Sequence, residues 1–516
     1  MIAGRWQHLV VLLAVIALLG GCQSVSSATP TPGSPTASPS TATLTPGTSP
    51  STSPTSPPTA VPGPWQPAGT MAVGRASPHV VLLGDGRVLV VGADSGMRVR
   101  DDSPRAELWD AASQSWGATA GLNAPRGEFV AVGLTDGHAL VAGGLDQGSG
   151  GCQEGGFGPP GSQASFSSSY VFDARSGSGT WSKVGLLGTA RADAAAAVLP
   201  DGRVLVAGGY YFTGETEGAD DLPPGLLAAY RRPPAAPPGA SQPRLDDIVM
   251  PPAGIALATA ELFDPAAGTW SATGAMHYAR FGAAAVTLTD GRVLVVGSED
   301  GTDGQVAKVA DGAYDSAELY DPATGRFSLT GPLPAIDRTA FTKLGGLPDG
   351  APQIDSNGTL VALKDGGALL VGRGAYWKHQ GGITRSFRFD AATGTWTEVG
   401  TAWASGYDPQ HEVAWSSPGD PLGDRALVAR LADGRVLVAG GLDGTGASLA
   451  TAEILDPATD GWSRLPPMPE ARAGGAAIAL PDGSVLLVGG FNDATPAVAC
   501  DQPGGLSSTV RFVPQP

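Results

Sequence analysis

The side chains best suited to hold a ligand lie in two aromatic-rich stretches of the last third of the chain. They are Tyr376, Trp377, His379, Trp403, Tyr407, His411 and Trp415. Aromatic faces with polar groups beside them suit stacking against a sugar ring or capture of a peptide. These seven residues are therefore the candidate ligand-binding site. The alternative is that the rings only pack long loops against the domain.

A second set of candidates consists of arginines that each precede an Asp-Gly pair by ten residues. They are Arg75, Arg126, Arg191, Arg280 and Arg472, and glutamates recur further on at 107, 261, 318 and 453. Such a ring of arginines could bind an anion. The alternative is that each arginine pairs with a carboxylate or a carbonyl and ties the fold together. The second interpretation is favoured, because a feature present in most repeats usually serves the scaffold.

Signals for catalysis and for metal binding are weak. The acidic run from Glu299 to Gly304 could offer oxygens to calcium, but it lacks the spacing and the closing glutamate of an EF-hand loop, so a solvated turn is favoured. No P-loop, His-Glu-x-x-His or Gly-x-Ser-x-Gly motif occurs. The sequence therefore predicts no catalytic residue and no cofactor, with calcium as the one ion considered.

A repeated segment organises the chain around these residues. Each copy reads as an Asp-Gly turn, an apolar strand and, in most copies, glycine. The copies are Asp85–Ala93, Asp136–Gly144, Asp201–Gly209, Asp290–Ser298, Asp365–Arg373, Asp433–Gly441 and Asp482–Gly490. Seven copies of a unit this long indicate a solenoid or a propeller.

A second landmark completes each unit, as in the run from Ala260 to Trp270, where a short strand ends in Asp-Pro-x-x-Gly before an aromatic residue. If the four strands of a unit are a, b, c and d, then Asp-Gly is the a–b turn and Asp-Pro-x-x-Gly is the c–d turn. Length varies only in the b–c loops and in two d–a connections. In an up-and-down sheet these leave from one face, so the sequence predicts a single working face.

The unit resembles the kelch repeat, in the form found in the central propeller of galactose-oxidase-like proteins. The residues that carry the resemblance include Gly208 and Gly209 after strand b, Glu261 to Pro265 in strand c, and Trp270 in strand d. The resemblance covers residues 64–516 and implies an all-β fold, a seven-bladed β-propeller of kelch type. The last unit has no strand d, whereas Trp65 precedes the first Asp-Gly by the usual 20 residues. The N-terminal strand is therefore expected to close the last blade, unless Trp65 is a linker residue.

The resemblance also raises copper-radical oxidation of alcohols, which in that family needs two tyrosines, one of them joined to a cysteine, and two histidines. This chain departs from the pattern, because no histidine pair shows a ligand spacing and neither Cys152 nor Cys500 has a matching motif. The C-terminal domain that supplies one copper ligand in the family is not expected here. Some kelch propellers instead act on sialic acid by acid–base chemistry, and this alternative stays open.

Residues 1–22 resemble a bacterial lipoprotein signal, with Arg5 near the start, an apolar stretch and a lipobox that ends at Cys22. Cys22 would then be the lipidated N-terminus, on the outer face of the cytoplasmic membrane. An ordinary cleaved signal with an incidental cysteine is the alternative. Residues 23–63 are almost all Ser, Thr, Pro, Ala and Gly, so they are predicted to be a disordered stalk.

Composition agrees with an exported, binding protein. The chain has 31 Lys plus Arg and 48 Asp plus Glu, a net charge of −17, which argues against nucleic acid as a partner. Cys152 and Cys500 both fall in predicted b–c loops and could form a disulfide. We expect a monomer, tethered to the membrane only through its lipid, that binds a carbohydrate, cell-wall or protein ligand. A sugar-modifying propeller enzyme, either a degenerate oxidase or an epimerase, is the alternative.

Overall fold

All regular secondary structure in the described part of the protein is β-strand. A computed structural model describes residues 63–92, 106–122, 126–146, 164–175, 177–212, 254–298, 315–334, 353–356, 358–376, 382–399, 425–442, 447–494, 497–498, 502–503 and 505–515. These residues belong to one compact unit, Val61–Pro516. None of these ranges contains a helix long and apolar enough to span a membrane.

The strands form seven antiparallel sheets, the blades, arranged as the sequence predicts. The first strand is β1 (Trp65–Arg75). Blade 1 contains β2 (His79–Leu82), β3 (Val88–Val91), β4 (Ala106–Asp110) and β5 (Ser115–Ala118). Blade 2 contains β6 (Val130–Gly133), β7 (Ala139–Ala142), the short ribbon β8 (Leu145–Asp146) and β9 (Ala164–Ser165), then β10 (Ser168–Asp173) and β11 (Thr180–Leu186). Blade 3 contains β12 (Ala195–Val198), β13 (Val204–Ala207), the ribbon β14 (Tyr210–Phe212) and β15 (Gly254–Ala256), then β16 (Ala260–Asp264) and β17 (Thr269–Ala272).

The remaining four blades repeat the pattern, with one extended sheet. Blade 4 contains β18 (Ala284–Thr287), β19 (Val293–Val296), β20 (Ala317–Asp321) and β21 (Arg326–Leu329). Blade 5 contains β22 (Gln353–Ser356), β23 (Thr359–Ala362), β24 (Ala368–Tyr376), β25 (Gly382–Asp390) and β26 (Thr395–Val399). Blade 6 contains β27 (Leu427–Arg430), β28 (Val436–Ala439), β29 (Ala452–Asp456) and β30 (Gly461–Arg464). Blade 7 contains β31 (Ala476–Ala479), β32 (Val485–Val488), the ribbon β33 (Ala497–Val498) and β34 (Gln502–Pro503), and β35 (Leu506–Phe512).

The Asp-Gly turns begin each blade for a local reason. In blade 3 the carboxylate of Asp201 accepts the backbone N–H of Arg203 at 3.0 Å, and Gly202 takes a φ of +88° that other residues avoid. The strand that follows, Val204–Ala207, is fully buried. Strand b is apolar throughout because it lies between strands a and c and is covered by neighbouring blades on both faces.

The blades form a closed ring around a central channel. Each strand a contacts strand a of the next blade, and β31 of blade 7 contacts β2 of blade 1. Strand a is therefore innermost and strand d outermost in every blade. Each blade keeps its own sheet, so the inner edges of the strands a are short and line the channel.

The N-terminal strand closes the ring, which confirms the sequence-based expectation. β1 pairs antiparallel with β35, from Trp65 opposite Phe512 to Arg75 opposite Leu506, and β35 in turn pairs with β32. The Trp65 ring lies 5.0 Å from the Phe512 ring, and its indole N–H donates to the carbonyl of Pro466 in blade 6 at 2.7 Å. The alternative, a linker role for Trp65, is wrong.

In blades 3 and 5 the tryptophan of strand d ties the blade to the one before it. The Trp270 ring packs 5.1 Å from Phe263 within blade 3, while its indole N–H donates to Ser169 Oγ of blade 2 at 2.9 Å. Trp396 of blade 5 repeats the arrangement by donating to Thr330 of blade 4. The tryptophan signature of the repeat is therefore a blade-to-blade contact.

The two ends of the ring differ in construction. The end with the a–b and c–d turns is called the turn face, and the end with the b–c and d–a connections is called the insertion face. β1 occupies a strand d position, so it runs from the turn face to the insertion face, and the chain enters the propeller at the turn face. The ribbons β8–β9, β14–β15 and β33–β34 all lie in b–c connections and extend the insertion face.

Candidate functional site at the insertion-face mouth of the channel

Most of the aromatic candidates fall outside the residues that the structure describes. Tyr376 is the last residue of β24, opposite Gly382, so it lies at the insertion-face end of blade 5. Trp377, His379, Trp403, Tyr407, His411 and Trp415 lie outside the described residues, as do Cys22, Cys152, Cys500 and the acidic run 299–304. The predicted ligand site, lipidation, disulfide and calcium site remain predictions.

The repeated arginines are buried in the scaffold. In blade 3 the Arg191 guanidinium donates to the carbonyls of Gly208 at 2.7 Å and Thr259 at 3.0 Å, and to the carboxylate of Glu261 at 2.8 Å. Glu261 also accepts the backbone N–H of Gly188 at 2.6 Å. The arginine thus fastens the d–a connection to strands b and c of the blade that it enters. This geometry supports the scaffold interpretation over anion binding.

The other blades vary this arrangement. Arg75 pairs with Glu107 and Arg280 with Glu318, each at 3.0 Å. Arg472 instead uses Glu470, at 3.3 Å, and burial lowers the pKa of Arg472 to about 10, so its guanidinium stays charged near neutral pH. Arg126 faces the rings of Phe166 at 4.6 Å and Tyr170 at 5.1 Å, in cation–π contacts.

Blade 4 adds a titratable side chain to its Arg–Glu pair. Glu318 is fully buried and accepts the backbone N–H of His277 at 2.8 Å, and the His277 Nδ1 lies 2.7 Å from the same carboxylate. The His277 side chain is 48 % exposed. Burial of Glu318 acts to raise its pKa, but the hydrogen bonds from His277 and the charge of Arg280 outweigh it and lower the pKa.

A second ring of residues surrounds the channel at the insertion face. Glu128, Asp193, Gly282 and Gly474 each lie two residues after a scaffold arginine, and Arg425 lies at the matching distance before strand a of blade 6. All five have a positive φ, between 51° and 67°. Their backbones are linked across blades, because Asp193 N–H donates to the Glu128 carbonyl at 2.7 Å, Gly282 N–H to Asp193 at 3.0 Å and Gly474 N–H to Arg425 at 2.7 Å. We call these five residues the mouth ring.

Three members of the mouth ring carry charged side chains where glycine would be unstrained. A left-handed conformation costs a residue with a Cβ roughly 1–2 kcal/mol, and blades 4 and 7 avoid that cost with Gly282 and Gly474. Glu128, Asp193 and Arg425 accept it. Strain of this kind clusters at binding and catalytic sites. Gln114 and Asp460 show it in c–d turns as well, but at the mouth it occurs at three charged side chains that share one position of the repeat.

Aromatic residues support the charged members of the ring. Tyr210, the first residue of β14, places its hydroxyl in hydrogen-bonding contact with the Glu128 carboxylate, and its ring meets Phe281 edge-on at 5.7 Å. Phe491 lies 5.8 Å from the Arg425 guanidinium, in a cation–π contact. Blade 6 is three blades from blade 3 in one direction and three from blade 2 in the other. The mouth is therefore acidic on one side and basic on the opposite side.

The described residues provide no evident metal centre. Among them, no three or more His, Cys, Asp or Glu side chains are grouped so that they could hold one ion. His79 packs 4.4 Å from Phe129, His138 lies 2.8 Å from Asp136, and His277 binds Glu318. These histidines belong to blades 1, 2 and 4, so this part of the chain does not fit a copper ion of the oxidase type.

The mouth ring was missed by reasoning from the sequence. A signal exists, because alignment of the repeats on their Asp-Gly pairs would show glycine in some units and Glu128, Asp193 or Arg425 in others, eight residues before the pair. Its meaning depends on backbone angles, which only the structure supplies.

Comparison with known proteins agrees with the fold. The Kelch motif model matches residues 429–469, which span most of blade 6. The chain is 28 % identical over 211 residues to the Kelch-like protein terF of Aspergillus terreus, covering 38 % of this chain and 41 % of that protein. It is 30 % identical over 137 residues to an F-box/kelch-repeat protein of Arabidopsis thaliana, covering 25 % of this chain and 23 % of that protein. The aligned stretches span less than half of either relative.

Among solved structures, the chain is similar to a fungal alcohol oxidase of the AA5 family in complex with copper. The TM-score is 0.51 and the identity 15 %, over 88 % of this chain and 76 % of the oxidase. Identity this low shows a shared fold alone. The chain is thus a seven-bladed β-propeller that contains a Kelch motif, as the resemblance implied.

Proposed function

We propose that the protein is a binding module that captures a protein partner on its insertion face, with the mouth ring at the centre of the interface. The observation that carries the proposal is the left-handed conformation of Glu128, Asp193 and Arg425, at positions where Gly282 and Gly474 show that glycine suffices for the fold. Kelch propellers generally mediate protein interactions, and the net charge of −17 favours a partner with basic groups.

The predicted aromatic site belongs to the same proposal. Trp403, Tyr407, His411 and Trp415 fall in the d–a connection before blade 6, and Arg425 ends that connection. Tyr376, Trp377 and His379 fall in the b–c connection of blade 5. Aromatic side chains in these two connections would supply the large, low-entropy contacts typical of interface hot spots. A glycan or cell-wall ligand would use the same aromatic faces and is the competing ligand class.

Attachment to the membrane through Cys22 and a stalk of residues 23–63 is part of the proposal. It is supported by the lipobox-like sequence that ends at Cys22 and by the Ser, Thr and Pro content of residues 23–63. Residue 64, which follows the stalk, lies at the turn face, where the Val513 N–H donates to the Pro64 carbonyl at 2.8 Å. The insertion face lies at the other end of the ring from this entry point.

The sugar-modifying enzyme remains the weaker alternative. The similarity to an alcohol oxidase is a similarity of fold, and no described residue supplies the ligand set that copper oxidation in that family needs.

Panning of the full-length protein against a phage-displayed random dodecapeptide library, in parallel with a glycan array, tests the proposal. We expect peptides that combine Lys or Arg, which suit the acidic side of the mouth, with Asp or Glu, which suit Arg425, and we expect their binding to be lost in Arg425→Gly and kept in Gln114→Gly. Gln114 is a matched control, because it also has a left-handed conformation (φ 49°) but lies on the turn face, in the c–d turn of blade 1. Glycan hits without peptide hits would replace the protein partner with a carbohydrate, and peptides that bind Arg425→Gly normally would exclude the mouth.

A further inference from the structure

His277 differs from the equivalent residues of blades 1 and 3. In blades 1 and 3 the residue that donates its backbone N–H to the buried strand c glutamate is Ala72, at 2.7 Å from Glu107, or Gly188, at 2.6 Å from Glu261. Neither side chain can interact further. In blade 4 the same backbone contact is made by His277 to Glu318, and the imidazole returns to the same carboxylate. The hydrogen bond that holds the connection to the strand c glutamate needs only the backbone N–H. The imidazole of His277 is therefore not required for this scaffold contact.

The imidazole is held in one orientation. Glu318 is fully buried and ionised, since the hydrogen bonds from His277 and the charge of Arg280 hold its pKa low. An ionised carboxylate can only accept, so Nδ1 must carry the proton that it donates to Glu318. The Arg280 guanidinium, 3.0 Å from the other carboxylate oxygen, balances the charge. In the neutral imidazole Nε2 is then an acceptor.

The Nε2 atom of His277 belongs to a side chain that is partly exposed to solvent. His277 is about half exposed, whereas Glu318 and Arg280 have no exposed side-chain surface. The residue lies in the d–a connection between β17 and β18, which also contains Gly282 of the mouth ring. The Tyr278 ring beside it lies 5.7 Å from the Arg280 guanidinium. His277 therefore belongs to the insertion face, in the same d–a connection as a member of the mouth ring.

We propose that His277 is a ligand-contacting residue whose Nε2 accepts a hydrogen bond from an N–H or O–H group of the bound protein partner, and that Glu318 is its positioning residue. A carboxylate that fixes the tautomer of a histidine is how proteins aim the second ring nitrogen at a ligand. The inference rests on the proposed function, since it names one specific contact within that interface. It also assigns blade 4 to the interface, in addition to blades 2, 3 and 6.

Two isosteric substitutions separate the ligand contact from the scaffold contact. His277→Asn keeps a donor near the position of Nδ1 and removes Nε2, whereas His277→Gln keeps an acceptor near Nε2 and removes the donor to Glu318. With a Lys/Arg-containing dodecapeptide enriched in the panning experiment as the probe, we expect His277→Asn to weaken binding by about tenfold, which corresponds to loss of one hydrogen bond. His277→Gln should weaken it by less than about threefold. Equal, unchanged binding by both variants would overturn the contact.

The role of Glu318 has a readout that does not need a ligand. Long-range ¹H–¹⁵N correlation spectra should show the full-length protein with His277 in the Nδ1–H tautomer, and Glu318→Gln with a mixture of tautomers. A dominant Nε2–H tautomer in the unmodified protein would refute the orientation. If panning enriches no peptide, the proposed function fails, whereas enriched peptides that bind His277→Asn normally leave that function standing and reject only the contact at His277.

Discussion

The mouth ring predicts that removing a charged side chain will damage binding without damaging the fold. Arg425→Gly is the sharpest case. It relieves a left-handed conformation that costs roughly 1–2 kcal/mol, but it adds backbone freedom to the unfolded chain worth roughly 0.5–1 kcal/mol. It also removes an exposed cation–π contact with Phe491 worth roughly 0.5–1 kcal/mol. The three effects nearly cancel, so the free energy of unfolding should change by less than about 0.5 kcal/mol.

Gln114→Gly isolates the backbone effect. Gln114 has the same backbone conformation, and the equivalent c–d turn positions of blades 3, 4 and 5 are Gly268, Gly325 and Gly394, all with positive φ. We therefore expect Gln114→Gly to stabilise the protein by roughly 0.5–1 kcal/mol. In a unit of about 450 residues that corresponds to a rise of about 1 °C in Tm.

Scanning calorimetry of both variants, with peptide binding measured on the same samples, tests the reasoning. We expect Arg425→Gly to lose at least about tenfold in affinity at an unchanged Tm, and Gln114→Gly to gain Tm at unchanged affinity. A loss of several degrees in Arg425→Gly, with the expected gain in Gln114→Gly, would show that Arg425 supports the fold. The strain at the mouth would then be no evidence of binding.

Three further predictions concern the scaffold. The pKa of Glu318 is depressed in the folded state. Its contribution to stability is therefore complete above its unfolded pKa and is lost as pH falls through the folded pKa. The Tm difference between wild type and Glu318→Gln should accordingly shrink as the pH is lowered from about 6 to about 3. Gly505→Ala places a Cβ 2.2 Å from the backbone nitrogen of Arg75 in β1. The clash should displace β1 and make it susceptible to limited proteolysis. Resistance of β1 to the protease would contradict this close packing. Trp270→Phe and Ser169→Ala should each lower the free energy of unfolding by about 1 kcal/mol, because each removes the hydrogen bond between blades 3 and 2. A double-mutant cycle should show a coupling energy between the two positions. A coupling energy near zero would mean that this hydrogen bond does not join the blades.

The sequence by itself determined the architecture. Seven Asp-Gly turns fix the start of strand b, because the Asp carboxylate caps the turn and glycine takes the positive φ, as at Asp201 and Gly202. The spare Trp65 at the front of the chain predicted closure, and it pairs with Phe512 as expected. These features are local or strictly repeated, so spacing alone reveals them. The repeat also correctly assigned the arginines to the scaffold.

Only the tertiary structure decided where the candidate site lies. Glu128 and Asp193 are adjacent at the channel only because neighbouring blades bring their connections together, and Arg425 faces them only because the ring closes after seven blades. His277 likewise becomes an oriented side chain only through Glu318, which is 41 residues away in sequence. Distances across blades are long in sequence and depend on how the sheets pack. Spacing therefore predicted the scaffold, and the packing of one blade against the next determined which charged side chains meet.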